Sequence, residues 1–342
     1  MQKKFTALAV AGLAAAAAPR ILRFNDGLMT FDSRTIDSAG AFLIGELERL
    51  DTRLNQPLAA VTWSRDIALR SDVSIADEFS AFTNSSFAAA PGVQGSGKAW
   101  VGKDANSITG ISLDIGKTTS PLTLWAMQLG WTIPELESAQ KLGRPVDQQK
   151  FAGMELKYQM DVDEQAYIGD SALSFTGMVN SDSKVGTVTN AQTGTWSTAT
   201  VQQITDDVNE LLNSVWAASG YAICPSELRL PPVQYGLLVS RLVSTAGNIS
   251  ILEYLKQNSL SNSINGRPLN IQPLKWLYQR GVANKDRMVA YTNDEQRIRL
   301  PLVPLQRTPL EYRDLRQLTT YFGRLGVVEI PYAECIGYRD NI

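Results

Sequence analysis

Histidine is absent from this sequence of 342 residues. It is the usual general base near neutral pH, the usual partner of a nucleophilic serine or cysteine, and the commonest ligand of transition metals. Catalytic triads and zinc sites are therefore disfavoured, and we predict neither a metal nor a cofactor. The two cysteines, Cys224 and Cys335, match no metal-ligand spacing and provide no disulfide framework. We predict that both are buried, reduced thiols.

The sequence also has little net charge and no long apolar run after its N-terminus. Lys and Arg number 32 against 34 Asp and Glu, which leaves a formal net charge of −2. That balance attracts neither a polyanion nor a membrane surface. A bilayer span needs a run of about 18 or more apolar residues. The 44% of apolar residues predicts instead a globular protein with a sizeable core and no membrane segment.

One glycine-rich stretch, "GVQGSGKA", has the glycine and lysine spacing of a phosphate-binding loop at Gly92, Gly97 and Lys98. That motif needs a hydroxyl group after the lysine to hold magnesium, and the residue here is Ala99. It also needs a buried strand before it and a helix after it, and the flanking sequences favour neither. We interpret the stretch as a flexible hairpin.

Two acidic groups are possible oxygen ligands for calcium or magnesium. Neither is surrounded by the glycine-punctuated loop that such sites use. We therefore predict solvated helix faces for both groups, which are Asp161, Asp163 and Glu164 in the first and Asp206, Asp207 and Glu210 in the second.

Hydrophobic periodicity predicts the order of the main elements. Residues 61–110 are rich in Ser, Ala, Gly and Asn, have no long helical period, and predict a long two-stranded loop. Two helices follow, separated at Gly143 and Pro145. The second, a spine helix that at 1.5 Å per residue is about 30 Å long, carries one apolar stripe. The stripe consists of Phe151, Met154, Tyr158, Val162 and Ala166.

The remainder of the chain predicts shorter elements. A helix is expected over 201–219, another begins near Val233 after a Pro-Pro break, and a third has Ser250 as its N-cap. The segment "RMVAYTNDEQRIRLPLVPL" predicts two strands that turn at Asn293 and Asp294.

The C-terminal third is rich in arginine, with acidic residues interleaved so that local charge nearly cancels. This pattern favours salt bridges between subunits over a nucleic-acid groove. The candidate intersubunit contacts in this region are Arg297, Arg299, Arg307, Arg313 and Arg316.

Three segments carry a resemblance to a known family: "ICPSELRLPPVQYGLL" with the following "SILEYLKQN", "GVANKDRMVAYTNDEQRIRLPLV", and "YFGRLGVVEIPYAECIGYRD". In these segments, and in the order of arm, long loop, spine helix, second compact domain, late hairpin and final strand, the sequence resembles the major capsid proteins of tailed bacteriophages, which have the HK97-like fold. The resemblance covers about 110–342, and the first hundred residues by position only.

The resemblance implies an α+β subunit with four parts. These are an N-terminal arm at 1–60, an extended loop at 61–110, a peripheral domain at 111–180 plus 283–325, and an axial domain at 181–282 plus 326–342. Lys98 and Lys103 lie in the loop region where a few relatives form an isopeptide cross-link. We do not extend that link to this chain, because no catalytic carboxylate is evident near them; both remain candidate intersubunit contacts.

The implied function is self-assembly as hexamers and pentamers into the icosahedral head that encloses double-stranded DNA, without enzyme activity. Portal, scaffolding or decoration proteins are possible partners, DNA is contacted only non-specifically, and no membrane is involved. The protein is then expected in the virion capsid after assembly in the host cytoplasm. One alternative is an encapsulin-like compartment shell that encloses an enzyme cargo.

The opening "MQKKFTALAVAGLAAAAAPR" suggests a different alternative, an exported binding protein with a signal peptide. Its apolar core is mostly alanine, which is weakly hydrophobic and strongly helical. We predict an N-terminal helix, ended by Pro19, that packs on the inner side of a shell or on a neighbouring subunit.

Overall fold

A computed structural model describes residues 59–89, 110–141, 146–191, 194–244 and 248–342. All of them fall in the unit Gln56–Ile342. The predicted N-terminal helix, most of the predicted arm, and the candidate contacts Lys98 and Lys103 lie outside the described residues.

The described chain contains seven α-helices and eleven strands. The α-helices are α1 (Trp63–Asp66), α2 (Ile133–Lys141), α3 (Val146–Tyr167), α4 (Val201–Ala218), α5 (Pro232–Ser240), α6 (Ile251–Asn258) and α7 (Leu260–Asn265). The strands are β1 (Ala68–Arg70), β2 (Phe79–Ala89), β3 (Ile111–Thr132), β4 (Thr187–Asn190), β5 (Glu227–Leu230), β6 (Asn270–Pro273), β7 (Arg287–Tyr291), β8 (Arg299–Arg307), β9 (Glu311–Arg313), β10 (Arg316–Gly326) and β11 (Ile336–Asp340). In the part of the chain that the structure describes, no helix is both long enough and apolar enough to cross a bilayer.

The first sheet has the strand order β1-β8-β10-β3-β2, with β9 paired to β10. β2 and the first half of β3 form a two-stranded antiparallel ribbon, in which Phe79 pairs with Pro121 and Ala89 with Ile111. The second half of β3 pairs with β10, so one strand belongs to both the ribbon and the sheet. The two-stranded loop that the sequence predicts is confirmed in its described part, although its second strand lies at 111–121, beyond the predicted end at residue 110.

The second sheet has the order β4-β11-β7-β5-β6 and lies between two hydrophobic cores. Every residue of β7 and β11 is buried. Val289 and Tyr291 pack into the core that holds the spine helix, while Met288 and Ala290 pack into the core that holds α4. A strand with both faces covered has no solvent side, which explains why β7 lacks the polar alternation of a half-exposed strand.

The spine helix α3 confirms the predicted second helix, and its 22 residues correspond to about 33 Å. Met154, Tyr158, Val162 and Ala166 are all buried along it. The fifth member of the predicted stripe, Phe151, lies near the start of the helix and is half-exposed. Its ring packs against that of Tyr321 of β10, with 5.5 Å between the ring centroids.

The chain after the spine helix folds back tightly on the helix end. Gly177 donates its backbone N–H to the carbonyl of Ile168, and Met178 donates to that of Ala166. A Cβ added at Gly177 would lie 2.1 Å from the backbone carbon of Tyr167. Only glycine allows this approach.

Side chains cap two helices that pack around the second core. α4 begins with a capping box, in which the Thr200 hydroxyl accepts from the N–H of Gln203 and the Gln203 side chain accepts from the N–H of Thr200. Ser250 caps α6 through the N–H of Glu253, as predicted. Cys224 and Cys335 are free, buried thiols, which confirms the prediction for both.

The predicted hairpin around Asn293 and Asp294 is wrong. Both of its strands exist, but β7 pairs with β5 and β11 in the second sheet, whereas β8 pairs with β1 and β10 in the first. The turn residues therefore connect two sheets. Burial of both faces of β7 favours this arrangement over a hairpin with β8, whose last residues are exposed.

Candidate assembly surfaces

The segment before β1 is fastened to the spine helix by one buried carboxylate. Asp163 accepts hydrogen bonds from the backbone N–H groups of Thr62 and Trp63, at 2.8 and 3.0 Å, and from Trp276 Nε1 at 2.6 Å. Lys275 Nζ lies 3.3 Å away. The prediction that Asp163 lies on a solvated helix face is therefore wrong: it is fully buried because it bonds a segment a hundred residues earlier.

Its neighbours on the helix are less buried. Asp161 accepts from Trp125 Nε1 at 3.0 Å and forms an ion pair with Lys157 one turn earlier on the helix. Glu164 is exposed, as predicted. Of the three acidic residues predicted to lie on a solvated helix face, Asp163 is buried, Asp161 is partly buried and Glu164 is exposed.

A second buried carboxylate, Asp66, joins the two sheets. Arg229 Nε of β5 lies 2.9 Å from Asp66 Oδ1, and Tyr167 Oη donates to Asp66 Oδ2 at 2.6 Å. Neither Asp66 nor Arg229 is exposed to solvent. Burial opposes the charge of Arg229, but the nearby Tyr291, Asp66 and Glu227 outweigh it, so that the pKa of Arg229 is raised. The guanidinium of Arg229 therefore remains charged.

The last strand is held to α4 in a similar way. Arg339 Nη2 lies 2.7 Å from Asp207 Oδ1 and 2.7 Å from Glu210 Oε2, and Trp196 Nε1 donates to Asp207 at 3.0 Å. The solvated-face prediction is confirmed for Asp206, which is exposed, and wrong for Asp207, which is buried. In the described residues, no group of three or more Cys, Asp or Glu side chains is placed to hold a metal ion.

Three of the predicted arginine contacts bond within the subunit. Arg297 pairs with Asp294 at 2.9 Å, and Arg299 pairs with the buried Glu329 at 2.7 Å. Arg307 donates from Nε to Thr319 Oγ1 at 3.3 Å. These side chains position the chain between β7 and β10.

The other two predicted arginines, Arg313 and Arg316, lie on the β9–β10 hairpin. They are directly paired across its strands and both are exposed. Tyr312 and Leu315, in the same hairpin, are 71% and 68% exposed. Two large apolar side chains at the end of a hairpin are typical of a contact surface.

An exposed apolar face lies on the ribbon. Ser85 pairs with Ile115, Phe87 with Leu113 and Ala89 with Ile111. Directly paired residues share a face, so the side chains of Ser85, Phe87, Ile111, Leu113 and Ile115 form one surface near the end of the ribbon. Its four large members are 54–71% exposed. The opposite face, with pairs such as Ser86–Asp114 and Asn84–Gly116, is polar.

The comparisons with known proteins agree with this architecture. The capsid of Myoviridae phage XM1 matches with a TM-score of 0.69 and 16% identity, over 86% of this chain and 97% of that one. The capsid of a native GTA particle matches with a TM-score of 0.57 and 13% identity, over 91% and 99%. A chain of Mycobacterium phage Ogopogo matches with a TM-score of 0.53 and 12% identity, over 89% and 99%. No curated protein matches the sequence.

These likenesses define the class: the subunit has the HK97-like fold of phage capsids, which confirms the predicted fold. The family described as Major capsid protein matches residues 97–342, and the chain belongs to that family. It is a structural protein of a capsid and associates with copies of itself.

Proposed function

We propose that this major capsid protein assembles as hexamers and pentamers into the icosahedral head that encloses the double-stranded DNA of a tailed phage. Assembly takes place in the host cytoplasm, portal, scaffolding or decoration proteins are possible further partners, and DNA is contacted non-specifically. The family match favours this function over the alternative of a compartment shell around an enzyme cargo.

The observation that carries the proposal is the apolar face of the ribbon. Phe87, Ile111, Leu113 and Ile115 are exposed on an element that projects from the sheet. Fully burying one such side chain stabilises a structure by about 1.5–3 kcal/mol. Because the four side chains are only 54–71% exposed, covering them contributes about 4–8 kcal/mol. This contribution favours attachment of the ribbon to a neighbouring subunit.

The domain division that follows is also a proposal. We propose the arm at 1–60, the extended loop at 61–110, and a peripheral domain at 111–180 plus 283–325 that contains the spine helix and strands β3, β8, β9 and β10 of the first sheet. The axial domain takes 181–282 plus 326–342. Pairing of 111–121 within the ribbon supports counting those residues with the extended loop, and pairing of β7 with β5 and β11 supports counting 287–291 with the axial domain.

The test is to express the full chain and to examine it by electron microscopy and sedimentation. Substitutions on the apolar face of the ribbon are compared with substitutions on its polar face. Phe87→Ser combined with Leu113→Ser should abolish closed shells or sharply lower their yield. The matched control is Ser86→Ala with Asp114→Asn, which changes the neighbouring pair on the polar face. The proposal fails if the native chain forms only small fixed oligomers, or if the apolar and the polar variants assemble equally well.

A further inference from the structure

The hairpin β9–β10 contains an electrostatic conflict. Arg313 and Arg316 are direct cross-strand partners, so both guanidinium groups lie on the same face of the hairpin. Like charges directly opposite each other in a sheet are destabilising. Neither side chain makes a hydrogen bond or an ion pair with any described residue. A carboxylate between them would remove the repulsion and accept charge-assisted hydrogen bonds from both.

The apolar residues of the hairpin favour a protein partner. Tyr312 precedes Arg313 and Leu315 precedes Arg316, and these two side chains are 71% and 68% exposed. Aromatic side chains and arginine are the residues enriched at the centres of protein interfaces. The partner should therefore offer acidic and apolar groups together.

Such a surface exists at the other end of the spine helix. A groove of about 450 Å³ lies between the last turns of α3, the middle of β3 and residues 168–180. Its acidic side chains are Asp161, Glu164 and Asp170, its walls include Leu124 and Leu173, and no basic residue lines it. Leu124 and Leu173 are 57% and 48% exposed, which leaves apolar surface open to a partner.

Two of these carboxylates can accept further hydrogen bonds from a second copy. Glu164 makes no side-chain hydrogen bond or ion pair within the described part of the chain, and Asp170 accepts only the N–H of Ala172. Asp161 is already occupied by Lys157 and Trp125. The groove thus offers two carboxylates to two arginines.

The hairpin and the groove cannot meet within one subunit. β10 pairs with β3 from Arg316–Thr132, beside the hairpin, to Leu325–Thr123, beside the groove. At about 3.3 Å per residue the two surfaces lie about 30 Å apart. Complementary surfaces at opposite ends of a subunit join head to tail, and such contacts close into rings when the rotation between copies permits.

We propose that the β9–β10 hairpin of one copy docks into this groove of a second copy, with Arg313 and Arg316 bound to Glu164 and Asp170. Tyr312 and Leu315 pack on the apolar walls. The inference rests on the proposed function, because it assigns one contact of the assembling subunit.

A disulfide test reads the contact directly. Leu315→Cys combined with Leu173→Cys should give intermolecular disulfides, seen as a ladder on non-reducing gels, whereas a bond within one chain is excluded by the distance. The control combines Leu315→Cys with Val282→Cys, an exposed position outside the groove. The cross-link needs only the docked contact and not a closed shell, so it tests the proposal even where shells do not form.

Charge reversal provides the second measurement. Arg313→Glu with Arg316→Glu, introduced into the cysteine pair, should weaken the contact about tenfold or more and reduce the ladder accordingly. Adding Glu164→Arg and Asp170→Arg to the same chain should restore it. Arg267→Glu, another exposed arginine outside both surfaces, should change nothing.

The outcomes separate the docking from the proposed function. Shells from every variant without a ladder overturn the docking and leave the capsid function standing. A ladder without shells from the native chain supports the docking and counts against the proposed head. Loss of DNA retention on Arg313→Glu with Arg316→Glu, again without a ladder, assigns the arginines to phosphate groups and also overturns the docking.

Discussion

Removal of Asp66 should destabilise the subunit strongly, because its carboxylate is the partner of a buried arginine. Its carboxylate bonds Arg229 Nε at 2.9 Å, Tyr167 Oη at 2.6 Å and Arg65 Nε at 2.7 Å. Asp66→Ala removes the hydrogen bonds to all three residues and leaves the fully buried guanidinium of Arg229 with Glu227 as its remaining charged partner. A buried charge without adequate compensation is among the most destabilising changes in a protein.

The expected magnitude follows from that burial. Breaking a buried ion pair by removing one partner costs about 3–5 kcal/mol. The matched control is Asp72→Ala, which removes the carboxylate paired with Arg70 at 2.6 Å but 65% exposed at its side chain. Exposed pairs contribute about 0–1 kcal/mol. The two variants should therefore differ by several kcal/mol, although each loses one carboxylate from an arginine.

Urea unfolding of unassembled subunits, followed by tryptophan fluorescence, measures the difference. Trp63 lies in the same short helix as Asp66 and reports on this region. Asp66→Ala combined with Arg229→Met should recover a large part of the lost stability, because the unpaired charge is then gone. The reasoning is refuted if Asp66→Ala is as mild as Asp72→Ala, or if the double variant is no more stable than Asp66→Ala.

Three further predictions concern local features. Gly177→Ala should prevent folding or lower the free energy of unfolding by several kcal/mol, because the new Cβ collides with the backbone of Tyr167. The control Gly236→Ala lies on the open face of α5 and should raise the free energy of unfolding by about 0.5–1 kcal/mol. Expression and urea unfolding compare the two variants, and equal effects would contradict the collision. Burial raises the pKa of Cys224 from 9.0 to about 11. The stability that its neutral thiol contributes should be complete below pH 9.0 and lost as the pH rises towards about 11; unfolding measured across that range tests the sign, and iodoacetamide labelling of the folded protein at the rate of a free thiol would refute the burial. Thr200→Ala should lower stability by about 1 kcal/mol through loss of the capping box, and an unchanged urea midpoint would show that the cap contributes nothing.

Local patterns predicted those elements whose stabilisation is local. The spine helix and α4 follow from their apolar stripes, and α6 follows from Ser250 as its N-cap. The ribbon follows from a segment without helical period, although its second strand begins only at Ile111. In the three helices the decisive residues lie within a few positions of one another along the chain.

The errors all involve partners that are distant in sequence. Asp163 bonds Thr62, and Asp207 bonds Arg339, at separations of more than a hundred residues. A carboxylate on a helix has the same sequence signature whether water or a buried arginine faces it. The false hairpin has the same origin, because β7 pairs with β5 and β11 rather than with the strand that follows it.

The candidate surfaces were only partly accessible to sequence reasoning. Arg313 and Arg316 are candidates because the C-terminal third is rich in arginine. Their position as direct partners in a hairpin depends on the register of β9 and β10. The apolar face of the ribbon likewise depends on register, since it combines Phe87 of one strand with Leu113 of the other. The alternation of apolar residues at Ile111, Leu113 and Ile115 was the available signal.

The double membership of β3 has a mechanical consequence. Its 22 residues, about 75 Å of extended chain, run without a break from the end of the ribbon to the far edge of the pairing with β10. A pull on the ribbon along this strand is therefore carried as shear, since the hydrogen bonds of an antiparallel ladder lie perpendicular to the strands. Bonds loaded in shear resist together, whereas bonds in a peeled edge break one at a time. A force that separates two subunits joined through the ribbon would thus be borne by the ladder between β3 and β10 and not by a hinge at the base of the ribbon.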